Sequence, residues 1–432
     1  MAQLSRRRLL GAASVAGLAG VAACDPDRPA ATSAMPSAPA LDPADWASVR
    51  AQFAVPADVA HLSTFVFAPH AASVRAAIAA HRDAMDRDPI GYLHANGARL
   101  DQAVAIAASR HLGTAPDRIA FTDSTTMGLG LLYSGLRLAP GEEVLTTDHD
   151  FYATHEALRL RAARDGVAVR RVRLYAEPAT ATVDEIVGNV VGAVGGRTRA
   201  VALTWVHSGT GVRLPIRQIA DALRGSDLLL CVDGVHGFGA VDQTPDQLGC
   251  DFLVSGCHKW LLGPRGTGLV WASARGWARF DPTIPSFDGR SIGAWLGLDG
   301  GGHTPPGPAA TPGGYHSFEH RWALADAFDL HERIRRERVS ARIRELAGRL
   351  KDGLAGINGV SLVTPRDPEL SAGVVCFRAG DERPDRSVER LAGRKVVATS
   401  TPYRTSYLRL GPTIVNSEEH VDAAVRAVRT VV

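Results

Sequence analysis

Cysteine is scarce in this 432-residue chain, with five in all, and no two are spaced as C-x-x-C. That absence removes zinc knuckles and thioredoxin-type redox sites from the candidate functions. An excess of one charge is missing too: 48 Lys and Arg stand against 45 Asp and Glu, a formal net charge of +3. Nucleic-acid binders carry a basic stripe, and no Lys/Arg block interleaved with aromatics occurs in the body of the chain. The apolar stretch at residues 11–23 is too short and glycine-rich for a comfortable membrane span. What remains is a globular composition, 45% apolar and 22% charged. The length suits two or three domains.

The first residues form a class of their own. Ser5-Arg-Arg-Arg-Leu-Leu10 is a positive n-region before the apolar stretch. Its paired arginines resemble a twin-arginine export signal. Val21-Ala-Ala-Cys24 resembles a lipoprotein processing box, which would lipidate Cys24 and tether the chain to a membrane; ordinary cleavage nearby is the alternative. Residues 1–24 therefore read as a signal peptide and residues 25–40, rich in Pro, Ala and Ser, as a disordered linker. Residues 41–310 are expected to form a large domain and 311–432 a small one. The expected location is outside the cytoplasm, periplasmic or otherwise.

Strand-like and helix-like segments alternate from about 118 to 270, which predicts a doubly wound, mainly parallel sheet. One stretch there carries chemistry. The apolar run 228–232 stops at Asp233, a position at the carboxyl end of a buried strand, where open α/β sheets place their ligands. A second apolar run, 252–254, leads to Ser255-Gly-Cys-His258-Lys259 and then Gly263-Pro-Arg-Gly-Thr-Gly268. Lys259 follows Asp233 by 26 residues. Pyridoxal phosphate requires this pair: an amine to form a Schiff base, and a carboxylate to keep the pyridine nitrogen protonated so that the ring acts as an electron sink.

Asp233-x-x-His236, Ser255-Gly-Cys-His258-Lys259-Trp260 and the glycine loop together resemble the class V aminotransferase family of fold-type I pyridoxal-phosphate enzymes. The isopenicillin N epimerase-like branch, where a Cys-His-Lys-Trp string is typical, is the nearest. The resemblance spans about residues 45–432. It implies an α/β fold: a large domain on a mainly parallel doubly wound sheet plus a small C-terminal α+β domain. It also implies pyridoxal 5'-phosphate as cofactor, a homodimer and a small amino substrate.

The site residues follow position by position. Ser124, Thr125 and Thr126 open a helix after a short strand, where free N–H groups suit an anion, and match the family's phosphate-binding turn. Tyr152 falls in the slot of the ring that stacks on the cofactor, with His149 the alternative. Ser208 stands where many relatives have an asparagine, with His207 and Thr210 as alternatives. Asp233, His236, His258 and Lys259 complete the cofactor set. Arg409 is expected to grip the substrate carboxylate with its planar fork, and Ser63 and Thr64 to face the substrate. Many relatives carry a Gly-Thr pair that reaches the other subunit's phosphate; the string Phe318-Glu-His-Arg-Trp322 lacks it. Thr311, Tyr315 and Arg321 are the substitutes to weigh.

The reaction is less legible. A cysteine desulfurase needs a mobile cysteine before the carboxylate arginine, and residues 395–408 hold none, so that activity is rejected. Transamination is the leading expectation. Epimerisation, which needs a second acid/base among Tyr152, His149 and His236, is the alternative, as is a lyase. A tethered binding protein without catalysis is the reading from another class. Residues 322–354 read as one long charged helix, and the Gly/Pro-rich stretch 280–317 as a lid or a loosely ordered segment.

Overall fold

The computed structural model describes residues 39–298 and 304–432. The expected signal peptide, its arginine pair and Cys24 lie outside the described residues, as does most of the expected linker.

A two-residue strand, β1 (Ala60–His61), comes first. Seven strands then build the main sheet: β2 (Ile119–Thr122), β3 (Glu143–Thr147), β4 (Ala168–Val172), β5 (Thr198–Thr204), β6 (Leu229–Asp233), β7 (Phe252–Gly256) and β8 (Gly268–Ala272). Their order is β2-β8-β7-β6-β5-β3-β4. The run from β4 to β7 is parallel, whereas β8 is antiparallel to both β7 and β2. The sheet is mainly parallel, as expected. Alternate side chains point to opposite faces. Phe121, Val201, Leu230 and Leu253 enter one core, while their neighbours Ala120, Ala202, Cys231 and Val254 enter the other. Both faces are therefore covered, and β6, β7 and β8 are buried at every residue.

The second layer is antiparallel. β9 (Val360–Leu362), β10 (Val375–Ala379), β12 (Thr399–Ser400) and β13 (Leu408–Leu410) form a sheet in the order β12-β13-β10-β9. The remaining strand, β11 (Val396–Val397), pairs in parallel with β1. Ala60 and Leu62 accordingly share a core with Leu346, Phe377, Leu408 and Val421. Residues 323–334 instead pack into the main core through Ala323, Leu324 and Phe328. The small unit thus takes its first strand from the N-terminal side, and its core begins well after residue 311. Which core buries an apolar face decides this, and a local pattern does not record it.

The expected single helix over 322–354 is broken. It runs as Phe318–Trp322, Leu324–Ile334 and Arg336–Ala355. Arg335, at φ 76°, turns the chain between the last two. No glycine or proline marks that turn, so the sequence offers no stop signal. In the 280–317 stretch, two short helices form, Gly289–Trp295 and Pro306–Ala310. The second lies tight on β2: a Cβ on Gly307 would meet Ile119 O at 2.5 Å. Among the described residues no helix is long and apolar enough to cross a membrane.

Candidate active site

Asp233 ends β6 at the carboxyl edge of the sheet and is 2% exposed. Its Oδ1 accepts from Val235 N at 3.0 Å, and its Oδ2 takes no hydrogen bond among the described residues. Burial pushes the carboxyl up to about 7; the Val235 N–H and the Lys259 ammonium pull against that, and Asp150 adds to it. Lys259 lies in the loop after β7. Burial lowers its amine to about 8, opposed by Asp233 and assisted by Arg409. Carboxylate, amine and guanidinium thus share one electrostatic site. His236 lies beside the amine, with Nε2 3.5 Å from Lys259 Nζ. Trp260 Nε1 donates to His236 Nδ1 at 3.1 Å, which assigns the ring hydrogen to Nε2. Burial keeps this imidazole neutral.

The second end of the site is the start of the helix Thr125–Gly135. Ser124 caps it, accepting from Met127 N at 3.1 Å. Thr125 Oγ1 accepts from Gly256 N at 2.7 Å and so ties the helix start to the end of β7. His258 packs over the same glycine: a Cβ on Gly256 would stand 3.1 Å from both His258 Nδ1 and Thr125 Oγ1. His258 Nδ1 is buried without a hydrogen-bond partner. Thr126 is exposed. A helix N-terminus with an orphaned imidazole nitrogen suits a phosphate, and a free carboxylate oxygen on Asp233 suits a protonated ring nitrogen. The residues present therefore fit pyridoxal phosphate.

Arg409, in β13, is 6% exposed. Its Nε donates to Thr399 Oγ1 and its Nη1 to Ser208 O, both at 3.1 Å, while Nη2 has no partner among the described residues. The guanidinium lies 5.1 Å over Phe65, which also stacks on Trp260 at 5.4 Å and meets His236 edge-on at 5.9 Å. Phe65 thus ties Arg409 to the lysine loop. Ser63 and Thr64 are buried just before it. Thr64 Oγ1 is 3.0 Å from Thr413 Oγ1 and Ser63 Oγ 3.4 Å from His61 Nδ1, so both hydroxyls have partners within the chain. Ser208 Oγ is 2.6 Å from the hydroxyl of Tyr403, a residue of the loop before β13.

Tyr152 does not join this cluster. It is 67% exposed and lines an open cleft with Asp148, Asp150, Pro402, Tyr403 and Arg404. The helix Tyr152–Asp165 starts at this residue and turns it outward, and the aromatic turned inward is Phe151. The Phe151 ring is 6.1 Å from that of Tyr403. His149 stacks on Tyr175 at 4.0 Å. Four contributors went unread in the sequence: Phe65, Phe151, Asp150 and Tyr403. Asp150 accepts from Thr146 Oγ1, Thr147 N and Thr204 N at 2.7–2.8 Å and joins β3 to β5 at the edge that carries the site. A buried acid at a strand's carboxyl end was the only available signal for it.

A family model described as aminotransferase class-V matches residues 102–423. The chain belongs to the class-V aminotransferase family. Pyridoxal 5'-phosphate, the family's cofactor, is the cofactor of this enzyme too. The isopenicillin N epimerase of Streptomyces clavuligerus is 28% identical over 346 residues, covering 78% of this chain and 84% of its own. That of Amycolatopsis lactamdurans is 30% identical over 287 residues, covering 62% and 68%. A probable cysteine desulfurase of Halalkalibacterium halodurans is 24% identical over 276 residues, covering 62% and 64%. Among solved structures, a C-DES variant with glycine covalently linked to its pyridoxal-phosphate cofactor superposes with a TM-score of 0.79 at 20% identity, covering 88% of this chain and 98% of that one. At that identity the likeness establishes the fold: a fold-type I α/β architecture.

Proposed function

We propose that this class-V enzyme is an aminotransferase acting on a free amino acid. The observation that carries the proposal is the Lys259 amine, brought close to neutrality within the field of both Asp233 and Arg409. Pyridoxal phosphate, when bound, supplies the electron sink that acidifies the substrate's α-hydrogen. Lys259 would hold the cofactor and, once released, would take up that proton and deliver it away from the α-carbon. Asp233 would hold its ring nitrogen, and His236, with its hydrogen on Nε2, would offer a donor beside the amine. The unpartnered Nη2 of Arg409 would grip the substrate carboxylate.

The proton carriers favour transamination. Lys259 has the ionisation a general base needs. The other groups suit that task less well. Burial pushes Tyr403 up to about 12, and it holds His149 and His207 down to about 3. Tyr403 is also engaged by Ser208. Epimerisation remains the second reading, because two relatives are named isopenicillin N epimerase and the Tyr403 hydroxyl borders the site. Desulfuration is disfavoured: the four described cysteines are buried, and burial raises the thiol of each.

The test is a visible spectrum of the purified enzyme before and after borohydride, beside Lys259→Ala. A yellow band lost on reduction and absent from the variant supports the lysine assignment. Amino acids are then supplied in D2O. Keto acid with deuterated amino acid supports transamination, while accumulation of the opposite enantiomer without keto acid overturns it. The same proposal places a homodimer outside the cytoplasm. The twin-arginine route exports folded proteins, which lets a cytoplasmic cofactor load first. Fractionation of cells and light scattering of the purified enzyme test the two points.

A further inference from the structure

Arg321 is 7% exposed, at the fourth position of the helix Phe318–Trp322. Its guanidinium lies 5.1 Å over the ring of Phe121. It makes no side-chain hydrogen bond and no ion pair with any described residue. A full charge is therefore largely buried over a ring face with no carboxylate at ion-pair distance, and Asp101 and Asp123 act on it only through space. The buried Arg342, by contrast, forms ion pairs with Glu345 and Glu418. An unpaired buried charge is strongly destabilising, so a site that keeps one is built for an anion that arrives later.

The surroundings say which anion. Phe121 belongs to β2, the strand that runs into the Ser124 cap of the helix Thr125–Gly135. The groups that feel Arg321 include Cys257, next to the glycine that bonds Thr125. They also include His316, whose Nε2 is another buried atom without a partner. Arg321 itself feels Asp123, the residue before the cap. Arg321 thus borders the strand that leads into the helix start. His258 Nδ1, also unpartnered, lies at that same end.

We propose that Arg321 is a phosphate-anchoring residue, supplied by the same subunit, that completes the anion site at the start of the helix Thr125–Gly135. The inference rests on the cofactor assignment and adds to it which side chain neutralises the phosphate dianion. The remaining oxyanion source, a side-chain carboxylate on the substrate, is distinguished by the test.

Affinities of the cofactor-stripped enzyme for pyridoxal phosphate and for pyridoxal, which lacks the phosphate, are measured by fluorescence quenching. Wild type, Arg321→Gln and Arg321→Lys are compared. The expected result is a pyridoxal-phosphate affinity about 10–100-fold weaker in Arg321→Gln, the effect of losing a charged hydrogen bond. Pyridoxal affinity should hold within about twofold, and Arg321→Lys should fall between. Inorganic phosphate should raise the melting temperature of the cofactor-free wild type and not that of Arg321→Gln. Equal losses for both ligands in the folded Arg321→Lys variant would overturn the proposal. So would an unchanged pyridoxal-phosphate affinity with a weakened response to dicarboxylic amino acids, which assigns Arg321 to the substrate. A wild type that binds neither ligand would overturn the cofactor assignment itself.

Discussion

The hydroxyl of Tyr403 lies 2.6 Å from that of Ser208 and binds the loop before β13 to the edge of the main sheet. That contact joins the segment after β5 to the segment before β13. Arg409 reinforces it, since its Nη1 donates to the carbonyl of the same serine. The two contacts together hold Tyr403 and Arg409 against the segment that follows β5.

Tyr403→Phe separates the two reactions. It removes the hydroxyl and keeps the ring against Phe151. With Lys259 as the proton carrier, α-hydrogen exchange into solvent should fall less than about tenfold. Loss of a working general acid would cost about 10²–10⁴-fold. Exchange followed by NMR in D2O reads the difference.

Arg409→Lys should raise KM for an amino acid about 10–100-fold, because an ammonium cannot reproduce a bidentate fork while also serving Thr399 and Ser208. The corresponding decarboxylated amine should lose far less. Steady-state kinetics with the two substrates check the split.

Asp233 makes the cofactor-free protein sensitive to pH. Its carboxyl ionises near 4 in the unfolded chain, roughly, and near 7 when folded. Between those values the folded state holds a proton that the unfolded state has released, so the contribution of Asp233 to stability falls as pH rises through that window. Lys259 acts in the opposite sense: its amine sits at about 8 when folded and roughly 10 when unfolded, so its contribution improves as pH rises above 8. Asp233→Asn should therefore flatten the decline from about pH 4 to 7 and melt about 2 °C or more above wild type at pH 8. It should also cut turnover about 10²-fold or more, because an amide cannot balance the ring nitrogen's charge. Thermal melts of the cofactor-free protein and initial rates of the loaded enzyme check both.

Arg335→Gly should stabilise the fold by about 1 kcal/mol. A side chain at φ 76° is costly, and glycine adopts that conformation freely. The surface ion pair to Glu337 that is lost contributes little. A shifted denaturant midpoint with unchanged slope and unchanged activity is the expected outcome.

Much of the site was legible because its chemistry is local. A buried strand ending in Asp233, a lysine after the next strand and capping hydroxyls before a helix are each short patterns with one physical meaning. They determined the cofactor, the parallel sheet and the residues at its carboxyl edge. The local pattern failed where the deciding force was long-range. Tyr152 and Phe151 are adjacent aromatics, and only the rotation of a helix against its neighbour turns one inward. Arg335 breaks a helix without a breaker residue, where Ile334 before it and Val339 after it both pack into the main core. Tyr403 and Phe65 gain meaning only when the small unit folds back on the sheet and brings residues from opposite ends of the chain together at Arg409 and Ser208. The sequence by itself determined the family, the cofactor and the candidate residues. The tertiary structure decided which of them meet, because burial, and the pKa shifts that follow from it, are properties of packing and not of neighbours in the chain.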